Sequence, residues 1–292
     1  MSAQTSNQQG ASRIEGVPDE WTDDHLATIF TRWHPFMSRA DLQSQDLVIA
    51  EAGIQPGDTV LDVACGAGIP ALRIAERVGS NGRVVATDPS PVFLAATAEN
   101  AAHQGLTNLD TVQASAATLP FRPGSFDAAT CHFGVMFFTD ITAALSRIRE
   151  TLKPGKRAAF IAWGPDADNE LFSSFGAVAG QYAPPPPPPD PSIAEIDIPK
   201  PNRFAGAGSL SAALQSAGYQ DVRERYAPVD YTWPGHTPSM LEFWKQLSRI
   251  EERIPPERRA AFEQDLLASI GRHAEGESLR FRCVVVVASG AA

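Results

Sequence analysis

The sequence predicts an α/β domain, with a mostly parallel sheet and helices on both faces. Five short apolar segments, at 59–64, 83–87, 109–113, 126–131 and 157–163, are bounded by turn residues. Helix-like stretches at 71–78, 91–104 and 141–152 stand among them. Apolar strands alternating with helices are the pattern of a sheet buried on both sides. The length, 292 residues with 43 % apolar side chains, suffices for one large α/β core or two small ones.

Taken in order, residues 1–20 are polar and are expected to be disordered. From 22 to 52 the pattern is helical, with Leu26, Ile29, Phe30 and Trp33, then Leu42, Leu47, Val48 and Ile49. Pro35 is expected to break that run. A turn, Gln55-Pro-Gly-Asp58, leads into the first strand. After 163 the alternation fails. Nine of the 24 prolines fall between Pro184 and Pro201, six of them consecutive, which predicts an extended polyproline segment, a spacer in preference to a ligand for an SH3- or WW-like partner. A helix at 209–217, stopped by Gly218, precedes a strand at 222–228. Residues 233–272 read as helix interrupted by proline, and 279–288 as a final strand.

Composition excludes several classes. With 24 Lys and Arg against 34 Asp and Glu, the net charge of −10 disfavours nucleic acid as a partner. The longest apolar stretch, Cys283 to Ala288, is far below the roughly 20 residues of a membrane span. The N-terminus has neither a basic start nor an apolar run, so no signal peptide is expected. Cys65, Cys131 and Cys283 are too few and too scattered for a disulfide framework or a zinc site. A cytoplasmic location and no metal are expected. Nothing in the pattern fixes the oligomeric state, so a homodimer stays open.

The sharpest local signal is Val60-Leu-Asp-Val-Ala-Cys-Gly-Ala-Gly-Ile-Pro70, an apolar strand entering a glycine turn and then a helix. Glycine leaves the backbone open to a ligand, and free amides at a helix start attract electron-rich groups. By itself Gly66-x-Gly68-x-x-Ala71 also matches the dinucleotide fingerprint of NAD oxidoreductases. Two acids separate the readings. Asp62 lies inside the strand, where a carboxylate is costly unless it meets a cation or donor. Asp88 ends the second strand, where an acid accepts ribose hydroxyls. A ribose near Asp88 and an ammonium near Asp62 fit S-adenosyl-L-methionine better than NAD.

Residues 60–164 resemble class I S-adenosylmethionine-dependent methyltransferases, nearest the small-molecule branch of ubiquinone/menaquinone biosynthesis. Val60 to Gly68 stands at the family's glycine-rich loop, with Ala64 in place of its first glycine. Asp88 stands at the ribose-binding acid, followed by Pro89. Ser115-Ala116-Ala-Thr-Leu-Pro-Phe121 resembles the adenine-binding segment, with Ser115 where Asp is frequent. Ser125 to Cys131 resembles the fourth strand, followed by His132-Phe-Gly-Val-Met-Phe-Phe138, and Leu152-Lys-Pro-Gly-Lys156 resembles the turn before the fifth.

The resemblance implies a Rossmann-like sheet of seven strands whose last strand is antiparallel. It implies a single domain over 21–292, with a core at about 45–165, 205–228 and 279–292. A helical and proline-rich cap (21–44, 166–204 and 229–278) is expected above the sheet edge. Expected cofactor contacts are Asp62, Ala64, Cys65, Gly66, Gly68, Asp88, Pro89, Ser115, Ala116, Cys131 and His132, with Trp33 reaching over from the cap. The implied reaction moves a methyl group to an oxygen, nitrogen or carbon of a small acceptor and releases S-adenosyl-L-homocysteine. His132 and His34 are the candidate bases. The cap aromatics Trp21, Trp33, Phe36, Phe172, Phe175, Tyr182, Trp233, Phe243 and Trp244 suggest an apolar or aromatic acceptor. An NAD oxidoreductase and a non-catalytic S-adenosylmethionine-binding protein remain as alternatives.

Overall fold

A computed structural model of the chain describes residues 24–184 and 199–292. The expectations for residues 1–20, Trp21 and Pro185 to Pro189 lie outside the described residues. Two helices come first, α1 (Asp24–Ala40) and α2 (Leu42–Glu51). Pro35 sits inside α1 rather than ending it. A helix-interior proline costs about 3 kcal/mol, and α1 offsets this by burying Ala27, Ile29, Trp33 and Ala40. The chain turns instead at Asp41, between the two helices.

The alternating region then follows as β1 (Thr59–Val63), α3 (Ala71–Val78), β2 (Arg83–Asp88), α4 (Pro91–His103), β3 (Leu109–Gln113), β4 (Phe126–His132), α5 (Ile141–Thr151) and β5 (Leu152–Trp163). Strand β4 is buried along nearly its whole length, as expected of a strand covered on both faces. Helix α3 turns Leu72, Ile74, Ala75 and Val78 to the core. The Ser90 hydroxyl accepts from the Phe93 N–H and caps α4, with Pro91 at its first position. The Asp140 carboxylate accepts from the Ala143 N–H and caps α5.

The remaining elements are α6 (Glu170–Tyr182), α7 (Ser209–Ser216), β6 (Gln220–Pro234), α8 (Thr237–Ser248), α9 (Ile250–Arg253), α10 (Arg259–Gly271), β7 (Ala274–Glu275) and β8 (Ser278–Ala291). The sheet order is β3-β2-β1-β4-β5-β8-β6, with β7 a two-residue addition beside β8. Strands β1 to β5 are mutually parallel, and β8 inserts antiparallel between β5 and β6. The antiparallel last strand is therefore present, and the short β7 makes eight strands among the described residues where seven are expected.

The largest departure is the length of β6. It pairs with β8 continuously from Arg223↔Ser289 to Pro234↔Ser278, whereas β5 leaves β8 at Trp163↔Val285. A two-stranded ribbon thus projects past the edge of the parallel sheet, through residues expected to be helical cap. Ala227, Val229, Tyr231 and Trp233 alternate on its buried face. Pro228 does not end the strand, because β6 is an edge strand and its missing N–H breaks no necessary ladder bond. Helices α6, α8 and α10 cover the ribbon with Leu171, Phe243, Phe262 and Leu266, in one apolar core with Phe281.

Candidate functional site

The strand order reverses between β1 and β4, and such a reversal leaves a crevice at the C-terminal strand ends. A cavity opens there, enclosing about 1010 Å³ with its mouth included. Its floor is made by the turns after β1 and β4. Ala64 (φ 57°) and Phe133 (φ 54°) both occupy the left-handed region in these turns. That conformation costs a residue with a Cβ about 1–2 kcal/mol, and strained turns of this kind gather at functional sites. A Cβ on Gly134 would lie 2.5 Å from the Ala64 Cβ. The crossing has room for one methyl group, which Ala64 supplies and Gly134 must lack.

One wall of the cavity is built from loops. Gly66 (φ 53°) has open space where a Cβ would stand, and its N–H donates to Asp88 Oδ2 at 3.0 Å. The Ser90 N–H donates to Asp88 Oδ1 at 2.9 Å. Burial pushes the Asp88 carboxyl up to about 6, against these two hydrogen bonds. Helix α4 fixes the loop from behind: Thr97 Oγ1 donates to the Gly66 carbonyl (2.8 Å) and Asn100 Nδ2 to the Ala67 carbonyl (3.0 Å). Ala64, Cys65, Pro89, Ser115 and Ala116 complete this wall. The Ser115 and Thr118 hydroxyls bond each other at 2.9 Å.

The opposite wall is helical, with His34 and Met37 from α1 and Asp41 from the α1–α2 turn; His132 and Phe133 lie at the end of β4. His132 Nε2 is 2.9 Å from Ser44 Oγ and 3.7 Å from Asp41 Oδ2. Ser44 Oγ donates to the Asp41 carbonyl at 2.8 Å, and Gln45 Nε2 to Asp41 Oδ1 at 2.6 Å. Burial pushes the Asp41 carboxyl up to about 7 and His132 down to about 3, so the imidazole is neutral. Burial also lowers His34, whose Nε2 is enclosed without a hydrogen-bond partner among the described residues.

Four of the expected contacts do not line the cavity. Asp62 is buried behind the loop, where Thr130 Oγ1 donates to its Oδ1 at 2.6 Å and the Ala71 N–H faces the carboxylate. Burial, with the nearby Asp88 carboxylate adding, pushes it up to about 7, against the hydrogen bonds from Thr130 and Ala71. Gly68 (φ 105°) closes the loop onto Leu72. Cys131 faces the core on the other side of the sheet. Trp33 donates to Gln246 Oε1 at 2.9 Å and packs among Phe36, Trp233 and Phe243.

The other described cap aromatics also pack on one another, Phe175 on Trp244 and Tyr182 on Phe262 among them. The rings that do line the cavity are Phe30, Phe93, Phe133, Phe137 and Phe138. Sequence reasoning missed Asp41, Ser44, Thr97 and Asn100. Asp41, between two helical runs, reads as a helix cap, yet its side chain makes no capping bond.

These residues suit S-adenosylmethionine. The missing Cβ at Gly66 and the Asp88 carboxylate at the cavity face match a ribose lying against the loop, and the buried Asp62 carboxylate behind the loop matches a cationic neighbour. Residues 60–155 match the family model described as a methyltransferase domain. Nocamycin O-methyltransferase of Saccharothrix syringae is 31 % identical over 228 residues, covering 76 % of this chain and 81 % of that protein. The 2-phytyl-1,4-naphtoquinone methyltransferase of a Nostoc species is 34 % identical over 154 residues, 52 % of this chain and 67 % of that one. The YcgJ protein of Bacillus subtilis shares the fold, with a TM-score of 0.52 at 19 % identity over 86 % of this chain and 98 % of that one. A crevice built for this cofactor, on a chain so similar to a methyltransferase along most of its length, places the protein in the class I S-adenosylmethionine-dependent methyltransferase family.

Proposed function

We propose that the chain methylates a small apolar or aromatic molecule, with the cofactor against the loop wall and the acceptor against the α1 wall. The observation that carries this is the asymmetry of one cavity. Its loop wall offers backbone, Asp88 and Ser115, whereas its helical wall offers apolar side chains with His34, Asp41 and His132 as the titratable groups. The relatives named for nocamycin and for a phytyl naphthoquinone support a small organic acceptor.

The cofactor supplies an electrophilic methyl group on a sulfonium. In this reading Asp88 accepts the ribose hydroxyls and Ser115 accepts from the adenine amino group. Asp62 gives the ammonium a negative partner through the loop. The rings of Phe133, Phe137 and Phe138 keep water out and hold the acceptor in line, which is the larger part of what such a reaction needs. His34 lines the acceptor side of the cavity.

The test is a screen of small phenols, quinols, amines and carboxylates with detection of S-adenosylhomocysteine, beside calorimetric titrations with S-adenosylhomocysteine and NADH. Binding of the first and turnover of at least one apolar acceptor are expected. Binding of NADH alone overturns the reading, and binding with no turnover of any acceptor favours a non-catalytic protein.

A further inference from the structure

One placement of the His132 proton satisfies every contact around the ring. A serine hydroxyl has one proton to give. Ser44 Oγ gives its proton to the Asp41 carbonyl, 2.8 Å away. At the 2.9 Å contact between Ser44 Oγ and His132 Nε2, the hydroxyl oxygen therefore accepts and the ring donates. In that arrangement the neutral imidazole carries its proton on Nε2 and its lone pair on Nδ1. Asp41 Oδ2, 3.7 Å from Nε2, is too distant for a hydrogen bond but close enough to stabilise a positive charge on the ring. Gln45 holds the other carboxylate oxygen. His132 and Asp41 both line the cavity, on elements more than 80 residues apart in sequence.

We propose that His132 Nδ1 is the base that takes the proton of an acceptor hydroxyl, with Ser44 and Asp41 as the positioning residues that set its tautomer and support its charged form. The acceptor class is then a weakly acidic hydroxyl, a phenol or an enol, and the product a methyl ether. This rests on the reading that the acceptor occupies the α1 wall. As the oxygen–carbon bond forms, the sulfonium carbon–sulfur bond breaks and its electron pair returns to sulfur. The hydroxyl proton passes to Nδ1 and leaves to water after product release.

The arrangement resembles a serine-protease triad only in its acid and imidazole, because Ser44 serves as an acceptor for the ring and not as a nucleophile. Burial alone leaves the His132 ring too weak a base at about 3, and ionised Asp41 raises it by supporting the imidazolium, so turnover should rise with pH through the Asp41 titration near 7. The charged and titratable groups around Asp41 are His132 on β4, Arg73 on α3 and Tyr231 on β6. Arg73 is tied to Asp46, and burial, with Asp41 adding, holds the Tyr231 phenol neutral.

The test begins on the ligand-free full chain with ¹⁵N-labelled histidine. The expected spectrum assigns the proton of a neutral His132 ring to Nε2 from pH 5 to 9. Ser44→Ala should lose that preference and Ser44→Thr restore it. A proton on Nδ1, or a charged ring at pH 7, overturns the proposal. With a hydroxyl acceptor from the screen, His132→Ala should lose about 10²–10⁴-fold in kcat. Asp41→Asn should lose about tenfold or more and flatten the pH limb, with KM little changed. Turnover confined to amine or carbon acceptors, or a pH limb that survives Asp41→Asn, also overturns it. Titration with S-adenosylhomocysteine separates the two levels: if it fails to bind, the function falls whatever the tautomer, and if it binds, the tautomer decides.

Discussion

The two walls of the cavity are made in different ways. The loop wall is held by backbone: the Gly66 N–H meets Asp88, and Thr97 and Asn100 bind loop carbonyls from a helix some thirty residues on. The α1 wall is held by side chains from distant segments, with Ser44 and Asp41 meeting His132 across 88 and 91 residues of sequence. A wall set by backbone conformation tolerates few substitutions and leaves a motif. A wall set by distant side chains can be rebuilt for another acceptor without touching that motif. The difference teaches where specificity is free to change on this fold.

The largest expected effect comes where the two turns cross. Gly134→Ala would place a methyl group 2.5 Å from the Ala64 Cβ and 3.0 Å from the Cys131 Sγ. Overpacking of this kind costs about 1–3 kcal/mol. The variant should lower the melting temperature and weaken S-adenosylhomocysteine binding. Adding Ala64→Gly removes one clash and the left-handed strain of Ala64, and should restore part of both losses. A double variant no better than Gly134→Ala would mean that the crossing is not what holds the floor.

On the α1 wall, Met37→Ala should raise the acceptor KM about tenfold, the loss expected from part of a buried side chain. Cofactor affinity should stay unchanged in calorimetry. A Met37→Ala variant that loses cofactor affinity instead would merge the two walls.

The smallest effect is a pH dependence behind the loop. Burial raises Asp62 to about 7 in the folded chain, against an ordinary carboxylate value near 4 when unfolded. Between these values the folded state binds the extra proton, so this residue's contribution to stability falls as pH rises. Asp62→Asn keeps an oxygen to accept from Thr130 and removes the titration. The melting temperature of the variant relative to wild type should therefore increase from pH 5 to pH 8. A constant difference would indicate that Asp62 is already ionised at pH 5.

The same contrast explains what could be read from the sequence. Ala64, Gly66 and Asp88 follow from spacing within one βαβ unit, because the glycine turn and the strand-ending acid are local requirements of the backbone. Strands β1, β2, β4 and β5 likewise follow from largely buried apolar runs, with β3 a half-exposed strand at the edge. The ribbon was hidden by Pro228, although Val229, Tyr231 and Trp233 alternate beyond it; its acceptability depends on the edge position of β6, which is a tertiary fact. Pro35 misled in the same way, since what keeps α1 intact is what its side chains bury. Trp33 and Phe36 could be placed in an aromatic cluster only once β6 brought Trp233 to them. Asp41 carries no local mark of function, because its partner is on β4.

One cavity is proposed to have a cofactor wall and a separate acceptor wall. Calorimetric titration of S-adenosylhomocysteine into wild type, Asp88→Ala and Asp41→Asn tests it most directly. Asp88→Ala should weaken binding about 10- to 100-fold, as for the loss of a buried charged hydrogen-bonding group, while Asp41→Asn binds as wild type does. Equal losses in the two variants, or full affinity without Asp88, would contradict the account.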